Sequence, residues 1–139
     1  MWGMVALNDG SAIVVRFAPF TREGLEKSAA KQALSDQAKG RPARRGVSVF
    51  ATHVDVGESL DDAVRRICEH ASRFCGGERV AVVAESTLNQ EGYALHLSEP
   101  PDAHYLVGTA DLSELPDFSR LAELLRDDRR DNPGFRGRG

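Results

Sequence analysis

The strongest periodicity in the chain lies over Leu60, Ala63, Val64, Ile67, Cys68, Ala71 and Phe74. Apolar residues recur there at i, i+3, i+4 and i+7, the spacing of one face of an α-helix. Ser59 is placed to cap that helix, with Asp62 at the third helical position as a carboxylate variant of the capping box, and Gly76-Gly77 supplies its stop. Before it, Val47–Val56 reads as a strand. Phe50, Val54 and Val56 share one face, and Val47, Val49, Ala51, His53 and Asp55 the other. After it, Val80–Ala84 is an unbroken apolar run, the pattern of a strand buried on both faces. The helix is long enough for a right-handed crossover, which predicts that the two strands run parallel.

The flanking segments give weaker patterns. Val5–Leu7 and Ala12–Ala18 are apolar runs separated by Asn8-Asp9-Gly10-Ser11, residues suited to a tight hairpin turn. Thr21 caps a predicted helix from Arg22 to about Ala38, with Phe20 and Leu25 at the spacing of a hydrophobic staple. Its apolar stripe, Leu25, Ala29 and Ala33, is thin. Gly40, Pro42 and Gly46 break it and leave a basic connection over 39–46. Tyr93–Ser98 alternates cleanly, Pro100-Pro101-Asp102 turns the chain, and His104–Thr109 forms a further strand. Leu115, Phe118, Leu121, Ala122 and Leu125 make the stripe of a last helix ending near Arg130, with Pro116 in its first turn. The element order is ββαβαβββα. It predicts an α+β (or small α/β) fold: a single mixed β-sheet of about six strands, covered mostly on one face by three helices. One globular domain is expected over 1–130, with a flexible C-terminal tail over 131–139.

Composition sharpens this picture in three ways. A chain of 139 residues with 41% hydrophobic content suits one domain with a real core. The net charge of −3 is unevenly spread. Residues 1–46 hold eight Lys/Arg and four Asp/Glu, residues 47–115 four and twelve, and residues 116–139 six and five. A mildly basic N-terminal part thus adjoins a strongly acidic middle, which suits internal complementarity or a basic face for nucleic acid or an acidic partner. Cys68 and Cys75, seven apart on one predicted helix, are separated by about 10.5 Å of rise, too far for a disulfide. Reduced thiols and the want of a signal-like N-terminus point to a cytoplasmic protein. No apolar run approaches the length of a membrane span. Arginine outnumbers lysine fifteen to three, which fits a GC-rich bacterial genome.

No sequence motif commits the chain to a chemistry. There is no Gly-x-Ser-x-Gly elbow, Walker loop, GxGxxG or HExxH, and no cofactor or metal is expected. His70 sits on the outer side of the central helix. His53, His96 and His104 fall in or at the start of predicted strands. His53 has Asp55 two residues on, and His104 has Asp102 two residues before, arrangements in which a carboxylate can orient an imidazole base. Strand periodicity alone also produces such pairs on an exposed face. His96-Leu97-Ser98 matches a two-histidine phosphoesterase pattern once, where two matches are needed. Glu85-Ser86-Thr87 closes the buried strand with polar groups. Arg41, Arg44 and Arg45, and the arginines near the C-terminus, offer phosphate contacts, but only 6% of residues are aromatic.

The reading that follows is a small bacterial accessory or regulatory module acting by protein–protein interaction. A histidine-dependent hydrolase or nuclease using His53 and His104 with Asp55 or Asp102 is the alternative. It requires those side chains to converge. A nucleic-acid-binding module working through the basic loop is the third.

Overall fold

The structure, a computed structural model, describes residues 11–72, 77–99 and 103–134. Its elements are β1 (Ala12–Phe17), α1 (Arg22–Ala38), β2 (Val47–His53), α2 (Leu60–Ala71) and β3 (Arg79–Ala84), then α3 (Glu85–Gln90), β4 (Ala94–Glu99), β5 (His104–Gly108), α4 (Phe118–Arg126) and β6 (Arg129–Asp131). Six strands form one sheet in the order β4-β5-β2-β1-β3-β6, and the fold is α+β. The expected strand at Val5–Leu7 lies outside the described residues.

The helices start where local chemistry dictates. Thr21 Oγ1 accepts from Gly24 N at 3.1 Å, Ser59 Oγ from Asp62 N at 3.1 Å, and Asp117 Oδ1 from Arg120 N at 3.0 Å. Each satisfies a backbone donor that the first helical turn leaves without an internal acceptor. Pro116 therefore precedes the cap of α4 rather than opening its first turn. Leu25 is fully buried in the core, and Phe20 packs against the same cluster, as the staple spacing predicts.

Every described strand pairing is antiparallel. β2 and β3 do run in the same direction, as the crossover predicts, but they are not neighbours: β1 pairs with both and lies between them. All six residues of β1 are buried, so its apolar run occupies the sheet centre. This split crossover also decides the layering. α2 packs on one face, over Ile13, Val15, Phe17, Phe50, Val80 and Val82. The other face carries Val14, Val47, Val49, Ala51, Ala81 and Val83 against Leu25, Leu88 and the α4 leucines. Helices therefore cover both faces, not mainly one as the sequence suggested.

Two short elements are additions to the predicted order. α3 opens at the Glu85-Ser86-Thr87 turn and plugs Leu88 into the core. α4 ends at Arg126, and the chain then forms β6 beside β3, pairing Arg79 with Asp131 and Val80 with Arg130. The segment expected to be a tail begins within this strand. Asn132 donates from its backbone to Glu78 O and from Nδ2 to Gly77 O, both at 2.8 Å, and Gly134 N donates to Asn132 Oδ1 at 2.8 Å.

Candidate anion-binding cleft

The β1–β2 ladder supplies the site by ending early. Its last register pair is Val15 with Phe50. Beyond it, β1 continues along β3 through Arg16 and Phe17, whereas residues 47–50 of β2 pair with β5. The backbone of Ser48 thus loses its β1 partner, and buried backbone groups need replacements. α1 and β1 provide them. Ser28 Oγ accepts from Ser48 N at 3.3 Å, and Ser48 O accepts from Arg16 Nη1 at 2.7 Å. Arg16, only 8% exposed despite its charge, also donates from Nε to Pro19 O at 3.3 Å and from Nη1 to Ser28 Oγ at 3.5 Å.

A cavity of about 490 Å³ opens at this gap. Arg16, Pro19 and Ser48 form its floor and rim, and α1 forms its wall through Gly24, Lys27, Ser28, Lys31, Gln32 and Ser35. These α1 positions fall three and four residues apart, so they make one continuous polar stripe. Among the described residues the lining holds three cations and no carboxylate. Lys27 and Lys31 enter no ion pair with a described residue. Pro19 O and Ser48 O accept from Arg16 and fix its guanidinium in place.

The loop predicted to be the basic surface is arranged differently. Arg41 and Arg44 both turn back to Asp36, a fully buried carboxylate on the last turn of α1. Arg44 binds it in a fork, Nε to Oδ2 at 3.1 Å and Nη2 to Oδ1 at 2.8 Å, and adds its backbone N–H at 2.9 Å. Arg41 Nη2 and Gln32 Nε2 complete the shell at 2.9 and 3.0 Å. Arg44's hydrogen bonds hold the Asp36 carboxyl far below the usual carboxylate range, overriding the upward push of burial. Arg45 ties its backbone N–H to Leu112 O at 2.7 Å.

The histidines separate. Residues paired across a sheet point to the same side. His53, opposite Ala12 and in phase with Val49 and Ala51, therefore points to the α1/α4 face. His104, opposite Phe50, points to the α2 face. Its ring lies 5.6 Å from that of Phe50, and its Nε2 is in hydrogen-bond contact with Ser48 Oγ. His53 and His104 do not meet, and Asp102 lies outside the described residues. Asp55, on the loop after β2, pairs with Arg66 Nη2 at 3.6 Å. Arg66 also grips Glu58 with two bonds of 2.9 and 2.8 Å and His53 O at 2.8 Å, which lowers the Glu58 pKa to about 2 and clamps the β2–α2 loop. His96 Nε2 contacts Thr109 O at 2.9 Å. Among the described residues no three His, Cys, Asp or Glu side chains gather as metal ligands.

The cleft residues carried a signal that apolar patterning passes over. Arg16 is a lone charge inside the apolar run Ala12–Ala18, and a charge in a central strand needs a polar setting. Lys27, Ser28, Lys31 and Ser35 share one polar flank of α1, beside its apolar stripe of Leu25, Ala29 and Ala33. Comparison with known protein families, with curated proteins and with solved structures finds no match. No helix among the described residues is long and apolar enough to cross a membrane.

Proposed function

We propose that this chain is a binding module, an accessory or regulatory subunit that acts by contact with a partner protein. In this reading the cleft beside α1 receives an acidic segment of that partner. One observation supports it: Lys27 and Lys31, in no ion pair with a described residue, line a single concavity whose described lining holds no carboxylate. The rest of the molecule gives such a site direction. The chain is net negative, so an acidic partner is repelled by most of the surface and drawn to the cleft. The reading takes the protein as bacterial and cytoplasmic, on its arginine bias and on cysteines spaced against a helical disulfide.

The test is a titration with a fluorescein-labelled Asp/Glu decapeptide, followed by anisotropy at low and high salt. Saturable binding at low salt that falls steeply as salt rises is expected. An acidic peptide that fails to bind even at low salt removes the reading.

A second reading, hydrolysis, rests on the Ser48–His104 contact on the α2 face of the sheet. A serine hydroxyl against an imidazole nitrogen is the minimal arrangement for an activated nucleophile. Stoichiometric labelling of Ser48 by a fluorophosphonate would establish it, and an unlabelled serine would leave the binding reading alone.

A further inference from the structure

Three of the six large apolar side chains that stand exposed among the described residues lie in one short segment. Val54, Val56 and Leu60 are exposed between the end of β2 and the start of α2, and Val56 is wholly open to solvent. We infer that this loop is a docking surface for a partner protein that presents an apolar strip flanked by Lys or Arg, such as one face of a basic amphipathic helix. The loop lies about 20 Å along β2 from Ser48, at the other end of the strand, and its role does not depend on the cleft.

The loop is held in one shape. Glu58 N donates to Asp55 O at 3.0 Å and closes a tight turn. Gly57, at the third position of that turn, has φ +81°, a conformation that side-chain-bearing residues rarely adopt. Val56 is thereby fixed at the apex. Asp55 N donates to Glu58 Oε1 at 2.9 Å, and Arg66 fastens the base through Thr52 Oγ1, His53 O and both carboxylate oxygens of Glu58. Ser59 caps α2 and so sets where Leu60 emerges. None of these bonds buries the three apolar side chains. A loop ordered in advance loses little conformational freedom on binding, and this lets a small apolar patch contribute to affinity.

Charge selects the occupant. Residues 54–62 hold Asp55, Glu58, Asp61 and Asp62 and no Lys or Arg. Arg65, Arg66 and Arg130 lie beside them, and Arg130 is shared with Asp128, so five carboxylates stand against three guanidinium groups. Asp55 and Asp61 remain 70% and 86% exposed. An apolar tip with an acidic rim matches an apolar surface with a basic rim. The same rim disfavours the other occupants. A second copy meeting it across a two-fold axis would set like charges together, and an anionic membrane would repel it.

The experiment uses the full chain, labelled with ¹⁵N, and two synthetic amphipathic helices. They share one leucine face and carry either lysine or glutamate on the other. The Leu/Lys helix should shift the amides of residues 54–62 saturably and bind at least about tenfold more tightly than the Leu/Glu helix. Val56→Ser changes no charge and should weaken the Leu/Lys complex about fivefold. It should leave the urea midpoint where it was, because that side chain is fully exposed. Equal binding of the two helices, or shifts that leave residues 54–62 untouched, overturns the inference. So does an unchanged affinity in Val56→Ser, since a contact made by charge alone would not respond to that change. A dimer in sedimentation that Val56→Ser dissociates overturns it in favour of a second copy. Binding to phosphatidylglycerol vesicles that Val56→Ser abolishes overturns it in favour of a membrane. The acidic-peptide test of the cleft is separate from all of these outcomes.

Discussion

Two cationic regions lie at opposite ends of α1, and they have opposite fates. At its C-terminal end, Arg41 and Arg44 surround Asp36 and spend their charge inside the protein. Near its N-terminal half, Lys27 and Lys31 stand with Arg16 around an opening that no described carboxylate enters. In sequence the first region is the conspicuous one, a run of arginines between helix breakers. The second is two lysines and an arginine scattered over sixteen positions. Charge density along a chain therefore says little about charge available to a ligand. What decides is whether the fold brings an acid to the base.

The sharpest way to break the comparison is Asp36→Ala. It leaves two guanidinium groups and a backbone N–H facing an empty buried site. A stability loss of about 2–3 kcal/mol in urea unfolding is expected, below the ~3–5 of a wholly buried pair because both arginines also reach solvent. Arg44→Ala removes a forked, charge-assisted contact on a side chain 23% exposed, and should cost about 1.5 kcal/mol. Arg41→Ala, at 43% exposure, should cost no more than about 0.5 kcal/mol. If Arg41 and Arg44 proved equally dispensable, the loop would be a free basic surface after all.

Acid titration sharpens the same point. The Asp36 carboxyl sits below its ordinary 3.8 in the folded state, so its ion pairs stabilise the fold fully above that pH. The contribution is lost as pH falls from there toward the folded value. The stability gap between the native chain and Asp36→Asn should accordingly narrow between about pH 5 and about pH 2. A gap independent of pH would mean that Asp36 acts only by packing.

At the other end of α1 the expected effect on folding is the smallest. Lys27→Gln with Lys31→Gln should leave stability within about 0.5 kcal/mol of the native value, because neither lysine is in an ion pair with a described residue. A larger loss would assign those lysines to the fold and remove them from the cleft.

Much of the architecture was legible because local and long-range signals agreed. Ser59, the stripe from Ala63 to Ala71 and the apolar run of β3 all pointed to one answer, and so did Thr21 with Phe20 and Leu25. What escaped was non-local. Nothing in residues 12–17 announces that they insert between β2 and β3. That insertion turns an expected parallel pair into two antiparallel ladders and sends α2 to its own face. β6 is three charged residues without a strand period, formed because the edge of β3 offers it a ladder. The histidines show the same limit. His53 and His104 each looked poised for catalysis, and register alone sets them on opposite faces. The cleft depends on where the β1–β2 ladder stops, a fact of pairing that composition does not encode. Its local traces were the charge of Arg16 inside an apolar run and the polar flank of α1.

The central claim is that the cleft cations, and not the loop cations, face the partner. The direct measurement is the affinity of the acidic decapeptide for two double variants, Lys27→Gln/Lys31→Gln and Arg41→Gln/Arg45→Gln, at one low salt concentration. The account predicts a loss of at least about tenfold for the first and less than about twofold for the second, each lost charge pair contributing about 1 kcal/mol. The reverse order, or equal losses in both, would contradict it.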